Sequence, residues 1–463
     1  MRYVIIGNSA AAVGAVESIR KVDRAGDVVL IGDEPYHIYS RPMIAHFVAG
    51  EIGEDRLSYR PVDFYRQMNV QVKSGHKATG IDFIKQKVLL ADKEQFVYDR
   101  LLICTGSSVT KPSLKNIELE GVTTFQKLAD TYYIKARLVS GVSRAVVIGG
   151  GFIGLRAAQS LREAGLNVVM LVRSRVMRRV LDVESSALAE SLLQREGIEI
   201  IKSRTVREIK GINGKVAAVM LDNGSEVPCS LVVVATGVAP NVKLIENSGG
   251  IAGRGIAVNE YMQTTYSNVF AAGDVTETYD ISRERSFNNA NWPNAHEQGG
   301  IAGLNMAGKR VPYRGSISMN VISIKGIPIV CIGITDPEAE NDGLAYETKV
   351  KRVIRHNIYQ KLVFKDNRLK GAIFVGDLGY CGAIKNLIQE QTPVGIIKNS
   401  ILNEGYQLYG FLRKKRQTKL EGNTIQWPET YMSQTPYRKG FNEKSWTERE
   451  RGQRKWRNQE LIK

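Results

Sequence analysis

Gly149, Gly151 and Gly154 stand at the spacing G-x-G-x-x-G between two apolar runs, residues 145–148 and 168–172. Strand, glycine turn, helix, strand is the order in which this spacing binds a dinucleotide. Gly149 makes the tight turn, Gly151 lets the backbone approach a pyrophosphate, and Gly154 lets helix and strand pack closely. Phe152 and Ile153 open the helix, whose free N–H groups and positive dipole end face the anion. The second run ends at Val172 with no acid, and Arg173, Arg175, Arg178 and Arg179 follow. A carboxylate there binds ribose hydroxyls and repels a 2′-phosphate, whereas guanidinium groups hold the phosphate. The loop favours NADPH over NADH.

A second, degenerate unit lies upstream. Residues 3–8, YVIIGN, run into Ser9, Ala10, Ala11 and Ala12, and a helix of small and apolar residues extends to about Val22. Residues 28–32 form the next strand, ending at Asp33, where a carboxylate binds ribose hydroxyls. Gly7 is kept; Ser9 and Ala12 replace the other glycines. Two dinucleotide units in one chain predict two dinucleotides, a resident flavin and a visiting nicotinamide. Two further apolar runs end in turns of the same kind, Thr105-Gly106 and Gly273-Asp274. The second offers backbone N–H groups to a pyrophosphate and a carboxylate to a ribityl hydroxyl.

The elements that position these groups must come from a multidomain α/β chain. At 463 residues the chain is too long for one core. Hydrophobic content of 43% with 24% charged residues fits a soluble globular protein, and no apolar run nears the ~20 residues that span a bilayer. Residues 4–6 are too short for a signal segment and serve better as strand, so a cytoplasmic protein is expected, with no membrane partner. Cys104, Cys229, Cys331 and Cys381 form no C-x-x-C, so neither a zinc or iron–sulfur site nor an adjacent redox dithiol is expected. The net charge of +17 invites an acidic partner.

These motifs, with residues 233–237 (VVATG), resemble the two-dinucleotide pyridine-nucleotide–flavoprotein reductases. The likeness is strongest to the rubredoxin and putidaredoxin reductase branch and to the flavin-containing half of NAD(P)H nitrite reductase. Gly32-Asp33-Glu34-Pro35-Tyr36 with Tyr39-Ser40-Arg41-Pro42 is similar to that branch. So is Tyr359-Gln360-Lys361-Leu362-Val363-Phe364, followed by Leu369-Lys370-Gly371-Ala372 and Val375-Gly376-Asp377. The resemblance covers about residues 1–400. It implies two Rossmann-like three-layer domains and a C-terminal α/β interface domain. An FAD domain would comprise 1–112 and 239–315, an inserted NAD(P) domain 113–238, and the interface domain 316–403. Carried over position by position, it implies FAD contacts at Gly7, Ser9, Ala10, Ala11, Asp33, Arg41, Lys77, Ala78, Thr105, Gly106, Gly273 and Asp274. NAD(P) contacts fall at Gly149, Gly151, Phe152, Ile153, Gly154, Arg173, Arg179 and Gly237. The implied reaction is hydride transfer between NAD(P)H and FAD, then single-electron transfer to an iron–sulfur or rubredoxin-type carrier. No side-chain acid, base or nucleophile is needed. The alternatives are an NAD(P)H oxidase using oxygen and a flavin subunit of a larger electron-transfer complex, and the protein is expected as a homodimer or hetero-oligomer.

Three features depart from the resemblance. A Lys–Glu pair usual near the flavin falls near His46 and at Arg156, neither acidic, so these two are expected to tune the flavin. Residues 33–50 carry no redox cysteine. Residues 404–463 form a basic, aromatic-rich extension, with Arg413-Lys414-Lys415-Arg416 near its start. It is expected to dock an acidic ferredoxin- or rubredoxin-type carrier rather than nucleic acid, for which no reader motif is present.

Overall fold

The structure, a computed structural model, describes residues 1–340, 342–402 and 405–420. Its first sheet has five parallel strands in the order Val269–Ala271, Arg100–Ile103, Arg2–Ile6, Asp27–Gly32 and Val70–Ser74. The strands are near-continuous Val, Ile and Leu because both faces are covered. On one face the helices Ala10–Val22 and Trp292–Met306 pack so closely that a Cβ on Gly299 would stand 1.9 Å from the Ala11 carbonyl oxygen. Small residues at 10–12 and 14–15 are therefore a packing requirement, beyond their proximity to a ligand. The three-stranded sheet Ala78–Asp82, Lys87–Leu90 and Gln95–Val97 shares the same core through Ile81, Val88 and Leu90.

The second sheet is also parallel, in the order Ile198–Lys202, Asn167–Val172, Arg144–Ile148, Leu231–Val234 and Val122–Thr123. Its side chains alternate cleanly. Val146, Ile148, Val169, Leu171, Val232 and Val234 join the core of the small sheet Val206–Ile212, Lys215–Leu221 and Glu226–Pro228. Ala145, Val147, Val168, Met170 and Val233 join the core of the helices Phe152–Glu163 and Val183–Arg195. Sheet, sheet and helices make three layers. The chain passes between the two large sheets twice, along Ser107–Val109 and Val238–Pro240, and the two passes pair as an antiparallel ribbon.

The third sheet is wholly antiparallel, in the order Met319–Ile324, Ile327–Gly333, Arg368–Val375, Ile358–Lys365 and Glu347–Val353. One face carries the helices Cys381–Gln389 and Gly405–Leu420, which bury Ile384, Leu387, Ile388 and Leu408 on Leu362, Phe364 and Phe374. The other presents Ile324, Ile329, Cys331, Tyr359 and Ile373 to the core of the second sheet's helices. Asp182 crosses that junction, accepting from the Tyr359 hydroxyl at 2.5 Å and the Lys361 ammonium at 3.0 Å. Among the described residues no helix is long and apolar enough to cross a membrane. Of the basic extension, the first part is the helix Gly405–Leu420; the rest, with most of its aromatics, lies outside the described residues.

Candidate active site

Each strand of the first sheet delivers one group assigned to FAD at its carboxyl end. Ile6 leads to Gly7, Gly32 to Asp33, Ser74 to Lys77 and Ala78, Ile103 to Thr105 and Gly106, and Ala271 to Gly273 and Asp274. Strand order reverses beside the Arg2–Ile6 strand, the switch point at which open parallel sheets bind ligands. Gly7 has φ +124°, and a Cβ there would lie 2.1 Å from the Cys104 carbonyl oxygen. Ser9 precedes the helix in extended conformation without capping it, so the first-turn N–H groups beside Ala10 and Ala11 keep their anion-binding capacity. Asp33 is exposed, just past the strand. Lys77 is exposed and Ala78 half-buried; their backbone is held beside Gly32 by the His76 N–H, which donates to the Gly32 carbonyl at 3.0 Å.

The electrostatics centre on Asp274. Burial pushes its carboxyl up, against the Ser107 hydroxyl, which donates at 2.9 Å, and the Arg41 charge. Arg41 donates to Glu34 at 2.6 Å and to the Gln126 carbonyl at 2.9 Å. Burial opposes its charge, and Tyr39, Glu34 and Asp33 more than offset that. The start of the inserted unit's first helix, Leu128–Val139, thereby closes over this edge. Lys127 reaches Asp33 at 2.9 Å, Gln126 donates to the Ser107 carbonyl at 2.8 Å, and the Leu128 N–H donates to the Tyr39 hydroxyl at 3.1 Å. Asn241 and Asn288 complete the scaffold. Asn241 donates to the Thr105 carbonyl at 2.8 Å and Asn288 to the Asp274 carbonyl at 2.8 Å. None of these five partners (Ser107, Gln126, Lys127, Asn241, Asn288) stands out in the sequence.

At the second sheet the glycines divide their work. Gly149 also has φ +124°, and a Cβ on Gly154 would lie 2.1 Å from the Gly149 carbonyl oxygen. Nothing lies within 4 Å of where a Gly151 Cβ would be, which leaves room for a ligand at the backbone. Gly151 is the helix N-cap and has no side chain to occupy the N–H groups of the turn that Phe152 and Ile153 begin. Gly237, φ +117°, is likewise open. The arginine loop folds back on the glycine turn, where the Met177 N–H donates to the Gly150 carbonyl at 2.6 Å. Arg175 is tied to Asp336 at 2.6 Å and to the Leu181 carbonyl. Arg173 and Arg179 are exposed, and neither pairs with an acid among the described residues. The ribbon Ser107–Val109/Val238–Pro240 starts at Gly106 on one sheet and Gly237 on the other. It brings the carboxyl ends of both sheets within a few residues of each other.

His46 and Arg156 meet across the helices Ile44–Ala49 and Phe152–Glu163, with 3.0 Å between a guanidinium nitrogen and the imidazole Nε2. The other ring nitrogen, Nδ1, pairs with Glu51. Sequence reasoning saw two residues, neither acidic; the fold adds this carboxylate. Glu163, one helical stripe along from Arg156, has its carboxyl pushed up by burial and by Glu51. The cluster is thus a cation held between acids where the two units touch.

Comparison with known proteins places this geometry. Residues 1–299 match the family model described as pyridine nucleotide-disulphide oxidoreductase, and residues 319–392 that of the rubredoxin NAD+ reductase C-terminal domain. The chain is 27% identical to the assimilatory nitrate reductase electron transfer subunit of Bacillus subtilis, over 87% of this chain and 51% of that protein. It is 26% identical to the NADH-rubredoxin oxidoreductase of Clostridium acetobutylicum, over 87% of this chain and 98% of that one. Among solved structures, the covalent putidaredoxin reductase–putidaredoxin complex superposes with TM-score 0.82 at 25% identity, over 89% of this chain and 98% of the other. The chain spans about half the length of the Bacillus subtilis proteins it matches.

Proposed function

The chain belongs to the pyridine nucleotide-disulphide oxidoreductase family, and we propose that it is an FAD-dependent NAD(P)H oxidoreductase that passes electrons singly to an iron–sulfur or rubredoxin-type carrier. The observation that carries this reading is the ribbon that joins two glycine-lined sheet edges, one at Gly106 and one at Gly237. Overall, NAD(P)H and two oxidised carriers give NAD(P)+, two reduced carriers and one proton. The residues present fit a flavin dinucleotide. The uncapped helix start at Ser9 and the close turn at Gly7 suit its pyrophosphate, Asp33 its ribose, and Asp274 with Arg41 the ribityl–phosphate stretch. Bound there, FAD would supply the exchange between an electron pair and single electrons, which side chains cannot.

The chain's own part is positional. Gln126 and Lys127 close the first edge from the inserted unit, Asn241 and Asn288 fix its two turns, and the Gly149–Gly154 turn seats the visiting nucleotide. The free guanidinium groups of Arg173 and Arg179, with no acid at the strand end, support NADPH over NADH. A name such as NADH-rubredoxin oxidoreductase, borne by a relative covered over nearly its full length, supports the carrier class. A second reading, as flavin subunit of a larger electron-transfer complex, is favoured by the match to half of an electron transfer subunit. A cytoplasmic location, where reduced nicotinamide is supplied, suits both, as does assembly into a homodimer or with other subunits. The test is anaerobic stopped-flow reduction of the bound flavin by NADPH and by NADH, followed by mixing with oxidised ferredoxin or rubredoxin. Flavin reduction followed by carrier reduction is expected. Reduced flavin that passes electrons to neither carrier but is reoxidised rapidly when oxygen is admitted would replace the proposal with an oxidase.

A further inference from the structure

We propose that the outer face of the helix Gly405–Leu420 is the docking surface for the acidic protein carrier, an inference that rests on the carrier reading above. One stripe of the helix faces the core. Leu408, Phe411 and Leu412 fall on one stripe and pack with Ile384, Leu387, Ile388, Val394, Ile397 and Ile401. Lys415 continues that stripe, and its ammonium is held by the Glu390 carboxylate and the Thr392 hydroxyl. Four inward positions at helical spacing pin the segment to the third sheet's core.

On the flank of that stripe, about a third of a turn round the helix, stand Tyr409, Arg413 and Arg416. Tyr409 is 60% exposed, and both arginines are exposed. Neither arginine makes an ion pair or hydrogen bond among the described residues. Four other cations of the same domain are paired: Lys361 with Asp182, Lys370 with Glu284, Lys398 with Glu347 and Arg352 with Glu184. Two uncompensated guanidinium groups around an aromatic ring form a surface that carboxylates of a partner satisfy bidentately, with the ring as anchor. The position also fits. Lys415 anchors the helix just past the end of Cys381–Gln389, a helix about 14 Å long. Lys385 of that helix acts on the charge of Glu297, in the helix Trp292–Met306. That helix begins a few residues after Asn288, which holds the Asp274 turn. The helix Gly405–Leu420 is thus joined through Cys381–Gln389 to the helix Trp292–Met306.

The test uses the full-length chain loaded with FAD and the double variant Arg413→Glu/Arg416→Glu, with Arg413→Lys/Arg416→Lys as a fold-preserving control. Lys415 is left intact because it holds the helix. Three rates are read: flavin reduction by NADPH, NADPH-driven reduction of the neutral acceptor menadione, and reduction of an acidic [2Fe–2S] ferredoxin and of a rubredoxin at low and physiological ionic strength. In the Glu variant, kcat/KM for a carrier should fall about tenfold at low salt, and the salt dependence seen with the native chain should flatten. The Lys control should retain most of the native rate, and flavin and menadione reduction should stay within twofold in both. Carrier kinetics unchanged by the charge reversal overturn the surface while leaving the function standing. Equal loss of the menadione rate also overturns it, because the effect is then structural. Loss of binding to duplex DNA or anionic vesicles with carrier kinetics intact overturns it in favour of another polyanion. A native chain whose flavin NADPH reduces but which passes electrons to neither carrier fails at the function itself.

Discussion

Asp182 tests whether the third sheet holds the arginine loop in place. Its carboxylate is 14% exposed and pairs with the Lys361 ammonium, 9% exposed, at 3.0 Å. It also accepts the Tyr359 hydroxyl at 2.5 Å and caps the helix Val183–Arg195 through the Ser185 N–H at 3.0 Å. Asp182→Ala removes all three. Stranding one partner of a buried pair costs about 3–5 kcal/mol, and losing a cap about 0.5–2 kcal/mol. Local opening of this junction should therefore become roughly a hundredfold or more easier. Hydrogen exchange of peptides from Val183–Arg195 and Ile358–Lys365 measures it. Adding Lys361→Met should recover about half of the loss or more, because the stranded charge goes with it. The pH dependence has a definite sign. Burial pushes the Asp182 carboxyl up, but hydrogen bonds from Ser185, Tyr359 and Lys361 outweigh it and hold it below the ordinary value. Its contribution is whole above the ordinary carboxylate range and is lost as pH falls through the depressed folded value. Acceleration below about fivefold in Asp182→Ala would refute the argument, since the pair would then be contributing like an exposed one. The loop carrying Arg173 and Arg179 ends at Leu181, so the same variant should raise KM for NADPH more than for NADH.

Arg173→Ala/Arg179→Ala should raise KM for NADPH about tenfold or more with little change for NADH, because the lost partner is a 2′-phosphate; equal effects on both would remove the phosphate role. Gly154→Ala forces a Cβ to within 2.1 Å of the Gly149 carbonyl. Strain of about 1–3 kcal/mol should weaken nucleotide binding by about fivefold to 150-fold while flavin content, read by absorbance, is kept. Burial pushes the Cys229 thiol up to about 12 and those of Cys104 and Cys331 higher. Alkylation at about pH 8 should therefore spare all three in the folded protein and label half-buried Cys381 first, as peptide mass mapping would show. Replacing Arg156 by Glu should lower the flavin midpoint potential by about 30 mV or more, the equivalent of about 1.4 kcal/mol for two electrons; an unmoved potential in a spectroelectrochemical titration would separate the His46 cluster from the flavin.

What could be read from the chain before folding follows the range of each interaction. The Gly149–Gly154 turn was legible because strand, turn and helix sit within 30 residues, and the steric demands at Gly149 and Gly154 leave little choice of residue. The C-terminal sheet was legible through residues 359–377 only as a resemblance; its antiparallel order depends on pairings that alternation alone does not rank. Lys127 over Asp33 could not be read, since the two are 94 residues apart and each alone looks like a solvated charge. Glu51 is a different failure. It stands five residues from His46, but it lies past the end of the short helix Ile44–Ala49, where the chain turns at Gly50 in the left-handed region. Helical spacing does not reach across such a turn.

The two kinds of residue divide the protein's properties between them. Glycines at 7, 149 and 154 answer to backbone atoms less than 2.3 Å from a would-be Cβ, so they are bound to the fold whatever the nucleotide or acceptor. Among the described residues, the arginines at 173 and 179 on the loop, and at 413 and 416 on the last described helix, have no ion-pair partner. A charge with no intramolecular partner contributes little to stability and is free to serve a ligand. The loop pair would choose which nucleotide enters and the helix pair which protein receives the electrons. Each pair can therefore be reversed in sign without touching the other or the glycine framework. That independence is the sharpest physical consequence of the arrangement: combining the loop and helix variants should give additive effects in free energy, within about 0.5 kcal/mol. A larger coupling would mean that nucleotide entry and carrier docking share an element, and the division drawn here would fail.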